Sequence, residues 1–141
     1  MIKKVLVFLF IFQLLSTSGI AQTKQQIQIF DIDQDKVIKT VQLTNADVQQ
    51  EVEKFLKGIT GVYAKYNPIP SNGYMVRIPL EPTIMIRNKW FDDLVDEVTI
   101  ILPSQEDPYL MLFNDENQPF FLTFEGNTEK LLEILDFNPE Q

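Results

Sequence analysis

The chain contains neither histidine nor cysteine, which removes most catalytic constellations at once. No Ser-His-Asp or Cys-His machinery can be assembled, and no zinc site of the usual His/Cys kind. Any chemistry must come from carboxylates, Lys, Tyr or Ser. The densest carboxylate group is Asp92, Asp93, Asp96 and Glu97. Two carboxylates at about 5–10 Å can act as acid and base in glycoside cleavage, so a carboxylate-dependent hydrolase of wall glycan is one reading. The same spacing fits the solvated face of a short helix with Trp90, Phe91 and Leu94 behind it.

Asp31, Asp33 and Asp35 open like a calcium loop, D-x-D-x-D, and suggest an envelope protein stabilised by calcium. The sixth position is Lys36 rather than Gly and the twelfth is Gln42 rather than Glu, so a polar hairpin turn accounts for them better. No P-loop, Rossmann, G-x-S-x-G, S-x-x-K or H-E-x-x-H pattern occurs, and no cofactor is implied. Trp90, Tyr63, Tyr66 and Tyr74, with Pro68 and Pro70, gather around the middle of the chain. Aromatic and proline residues of this kind form binding platforms for peptide or glycan, and they also fill cores. Arg77 and Arg87 sit in strand-like apolar stretches, where each can pair with a carboxylate or present its fork to an anion.

Residues 1–21 read as a secretory signal peptide. Lys3 and Lys4 precede an apolar run over 5–15 broken only by Gln13, and small Gly19 and Ala21 place cleavage after Ala21. The run is too short to span a bilayer, which takes about 20 apolar residues, and no cysteine offers a lipid anchor. Residues 22–141 then form a single domain of ordinary size. Without disulfides it must stand on its core, and 45% apolar residues with 11 phenylalanines make that feasible. The absence of both cysteine and an Asn-x-Ser/Thr acceptor favours a bacterial setting.

The elements that must position these residues follow from periodicity. Ile27 and Ile29 alternate with polar neighbours, 33–36 turns, and Val37, Ile38, Val41 and Leu43 continue a hairpin. Thr44 and Asp47 approximate a capping box, and Val48, Val52, Phe55, Leu56 and Ile59 recur at helical spacing for a helix over 45–57, closed by Gly58 or Gly61. A short strand over 62–66 and a loop over 67–73 follow. Tyr74, Val76, Ile78 and Leu80 alternate in a strand that Pro79 places at an edge or an end. Phe91, Leu94, Val95 and Val98 predict a helical turn or two, then a buried strand over 98–102. Strands over 109–113 and 120–124 make a second hairpin, and Asn127 caps a helix over 127–136. The expected class is α+β, with an antiparallel or mixed sheet of about five to seven strands and helices on one face.

Two further expectations concern partners. The strands at 109–113 and 120–124 are apolar on both sides, so the sheet face away from the helices needs a cover; it comes from 67–96 or from a partner. The net charge of −8, more negative once Lys3 and Lys4 are removed, excludes nucleic acid. These features point to an exported, non-catalytic binding domain of the bacterial cell envelope or extracellular space. Its partner would be a protein or envelope component, and it would meet the membrane only through the leader before cleavage.

Overall fold

The computed structural model describes residues 26–42, 46–65 and 67–140. The segment expected as a leader, the expected cleavage point after Ala21 and Thr44 lie outside the described residues. Among these residues one seven-stranded sheet, antiparallel throughout, carries two helices. The strands are β1 (Gln26–Asp31), β2 (Lys36–Gln42), β3 (Ile59–Val62), β4 (Gly73–Arg87), β5 (Asp92–Pro103), β6 (Tyr109–Phe113) and β7 (Pro119–Phe124), in the spatial order β2-β1-β4-β5-β6-β7-β3. The helices are α1 (Ala46–Lys57) and α2 (Glu129–Ile134). Among the described residues, no helix is long and apolar enough to cross a membrane.

The connection β2–α1–β3 carries the chain from one edge of the sheet to the other, so α1 must cross a face. It buries Val48, Val52, Phe55 and Leu56, the 3.6-period stripe, and Gly58 ends it as expected. Leu131 and Leu135 from the α2 segment join the same core cluster, with Ile27, Ile29, Val76, Ile78, Val98, Ile100, Leu110, Leu112 and Leu122 from the sheet. Asn127 accepts the Glu129 amide at 2.8 Å and so serves the start of α2. Asp47 in the first turn of α1 and Lys54 and Lys57 in the last favour the helix dipole.

Three expectations are corrected. The segment expected as a helical turn is strand: β5 begins at Asp92, pairs with β4 through Arg87↔Asp92 to Ile84↔Val95, and continues to Pro103. Phe91 and Val95 are buried but Leu94 is exposed, so no helical stripe exists. Second, Pro79 lies in a central strand. It is tolerated because, among the described residues, the β1–β4 ladder ends at Gln28↔Arg77 and asks no N–H of position 79. Third, the short third strand starts at Ile59 rather than 62.

Between Pro79 and Ile84 the β4–β5 register shifts. Gln49 of α1 closes this irregularity, accepting the Glu81 amide (3.0 Å) and donating to the Pro82 carbonyl (2.8 Å). The strand therefore continues past two prolines, and β4 and β5 form one long arm ending at Asn88 to Phe91. At its other end Gly73 has φ +115° and lies against the Leu102 carbonyl, where a Cβ would stand 2.3 Å away.

The second face carries a row across five strands: Val37, Phe30, Met75, Ile101 and Tyr109. Ile101 and Tyr109 are almost fully buried yet stand apart from the main core cluster. Tyr109 is covered from within the chain, by Tyr63 and by Pro68 of the loop that follows it. The cover is partial: Met111 and Phe121 are half-buried, and Phe113 is exposed.

Candidate functional site

The two ends of the β4–β5 arm each carry a depression, and they are built differently. At the Gly73 end, loop 63–72 meets loop 104–108 around a hollow of about 540 Å³. Its floor is a pair of tyrosines. The rings of Tyr63 and Tyr109 lie 3.8 Å apart and 9° from parallel, with Tyr109 buried and Tyr63 half-buried. The Tyr109 hydroxyl donates to the Pro68 carbonyl, which ties the loop to the sheet. Tyr63 donates to Glu106 Oε2 at 2.8 Å, and Lys65 pairs with Glu106 Oε1. Burial raises both phenols above the usual tyrosine value of 10, and their proximity adds to the rise at Tyr63. Both are neutral hydroxyls at physiological pH.

Around that floor stand Asn67, Ser71, Asn72, Ser104 and Gln105. Their side chains make no hydrogen bond among the described residues. The other described asparagines are engaged. Asn88 accepts two backbone amides at 2.8 Å, Asn114 accepts those of Glu116 and Gln118, and Asn127 and Asn138 accept one each. Asn117 holds a positive φ in its turn. Asn67 and Asn72 do neither, and both line the same hollow.

At the other end the Asn88 to Phe91 turn and the β6–β7 turn enclose about 330 Å³. Trp90 is half-buried against the core, with Lys89 Nζ 4.8 Å above its ring. Asp92, Asp93 and Asp115 border this hollow. Asp93 is occupied, accepting the amides of Leu94 (2.7 Å) and Asp115 (3.0 Å). These backbone bonds, the Asp115 amide first, hold its carboxyl below the usual value of 3.8.

The candidate acidic group is thus laid out along a strand. Asp92 and Asp96, like Asp93 and Glu97, stand about 13 Å apart along β5, and the register shift beside Asp96 breaks the alternation, since Val95 and Val98 both reach the core. Glu97 pairs with Arg77, which also reaches Gln28 Oε1 at 3.4 Å. Asp31 is buried and holds Gln34 through both its backbone amide and its side chain, while Asp33 and Asp35 are exposed in the turn. Among the described residues no three His, Cys, Asp or Glu gather as metal ligands.

The aromatic platform divides. Pro68 and Pro70 belong to the tyrosine hollow. Tyr74 turns the other way, edge-on to Phe137 at 5.0 Å. Trp90 lies roughly 40 Å away along β4, and Tyr66 lies outside the described residues. No protein-family model, curated protein or solved structure matches the chain. Tyr109, Glu106 and Lys65 carry no local signal of their place here. The parity of Tyr109 with Met111 was the available clue, since it put a large ring on the face without helices.

Proposed function

We propose that the protein is an exported, non-catalytic binding domain of the cell envelope or extracellular space, and that its ligand seats in the hollow between loops 63–72 and 104–108. The observation that carries this reading is the convergence of unengaged amides and hydroxyls on a rigid tyrosine floor. A concavity with an aromatic floor and a few convergent polar groups is the place where a ligand is expected to bind. The leader pattern supports export. The lack of histidine and cysteine, with the candidate carboxylates strung along β5, supports binding over catalysis.

The test has two parts. Cell fractionation should recover the protein outside the cytoplasm with Gln22 as its first residue. The purified domain should sediment with envelope material, and Asn67→Ala/Asn72→Ala should reduce that sedimentation while leaving the fold, by circular dichroism, unchanged. A cytoplasmic protein with an intact leader, or sedimentation indifferent to both asparagines, overturns the proposal.

A further inference from the structure

We infer that the ligand of this hollow is a neutral saccharide, an inference that rests on the proposed function and narrows it. The charges around the hollow cancel. The chain is strongly acidic overall, yet the hollow is electrically balanced, because its lysine and its glutamate pair with each other. An anion would find no unpaired cation here, in a protein whose field repels it. A cation would find Glu106 already holding two donors.

Hydrogen-bonding capacity narrows the ligand further. Asn67, Asn72 and Gln105 each offer both an acceptor and donors, and Ser71 and Ser104 each offer a hydroxyl that does either. That is the complement of a ring of vicinal hydroxyls, each of which also donates and accepts. Stacking on buried Tyr109 fixes the plane of the Tyr63 ring and covers one face, and Lys65 Nζ stands over the ring 5.9 Å from its centroid, so a pyranose would meet the half-buried ring beside that ammonium. The volume of about 540 Å³ is within the range of about 300–1,000 Å³ for small-ligand sites. The lining is mostly loop, while a free edge of the sheet lies on β3, which ends at Val62 just before Tyr63, so trialanine is the probe that separates a peptide added at that edge from a sugar.

The experiment is a titration of the isotope-labelled mature domain, followed by amide NMR shifts, with chitotriose, cellotriose and the neutral peptide trialanine as separate probes at millimolar concentration. At least one trisaccharide should shift amides confined to 63–72 and 103–109. Asn72→Ala, an exposed change that spares the fold, should weaken that binding about tenfold, the worth of one or two hydrogen bonds. Tyr63→Phe, which keeps the ring, should retain most of it. Silence with both sugars, shifts centred on Trp90, or a response to trialanine alone each overturn the inference. Sedimentation with envelope material that survives deglycosylation but not protease digestion also overturns it, while leaving the binding-domain reading in place.

Discussion

The two ends of the β4–β5 arm solve the same problem, closing a turn at the end of a long hairpin, by opposite means. At the Trp90 end the polar side chains bond backbone near to them: Asn88 holds its own turn and Asp93 holds the neighbouring one. At the Gly73 end, side chains from segments about 40 residues apart hold one another, as Tyr63 does Glu106 and Tyr109 does Pro68. The first arrangement leaves few groups over. The second closes the loop with rings and one ion pair, and frees five amides and hydroxyls to face solvent. A hollow stabilised by its floor can keep its rim available for a ligand.

The comparison breaks most visibly at the floor. Tyr109→Ala removes a buried ring, its stack and its bond to the Pro68 carbonyl, and should cost about 3–5 kcal/mol in urea unfolding. Trp90→Ala removes a half-buried ring and should cost about 1–2 kcal/mol. Equal losses would mean that the two ends are built alike. The asparagines offer the next contrast. Asn88→Ala leaves two backbone amides without their acceptor and should cost about 1–2 kcal/mol, whereas Asn72→Ala should stay within about 0.5 kcal/mol. A destabilising Asn72→Ala would show a structural duty there and weaken the case for the site.

The ends should also respond to opposite extremes of pH. Asp93 has its folded pKa below 3.8. The stabilisation it gives is complete above that unfolded value and is lost as pH falls through the folded one. Asp93→Asn should therefore flatten the acid limb of a plot of unfolding midpoint against pH below about 4. Tyr63 and Tyr109 have folded values above 10. Their contribution is complete below 10 and is lost as pH rises through the folded values. Tyr109→Phe should flatten the alkaline limb and leave the acid one alone. A variant that altered the wrong limb would contradict the assignment.

What the chain made legible, and what it hid, divides along the same line. The β1–β2 hairpin, α1 and the β6–β7 hairpin follow from local period and turn chemistry. The first half of β5 was obscured because Phe91, Leu94, Val95 and Val98 mimic a helical stripe. Pairing with 84–87 of β4 decided the conformation, and Leu94 went to solvent. Pro79 read as an edge or an end because the side chain that closes the irregularity beyond it, Gln49, comes from a helix about 30 residues earlier. The loop with Pro68 and Pro70 was visible as a recognition candidate by composition. Its partners Glu106 and Tyr109 were not, since only the tertiary fold brings them beneath it.

The smallest expected effect tests whether the floor depends on charge or on rings. Lys65 and Glu106 are both substantially exposed, and exposed pairs contribute about 0.2–1 kcal/mol. Glu106→Gln keeps an oxygen for the Tyr63 hydroxyl and removes only the ion pair. It should lower stability by a few tenths of a kcal/mol, and a double-mutant cycle with Lys65→Met should give a coupling that fades as salt is raised toward 1 M, where the screening length falls to about 3 Å. The Tyr63–Tyr109 stack should persist, read as an unchanged near-ultraviolet circular dichroism band. A coupling well above 1 kcal/mol that salt does not weaken would show a desolvated pair. The hollow would then be more enclosed and more charged than a neutral sugar requires, and the contrast between the two ends would rest on electrostatics rather than on stacked rings.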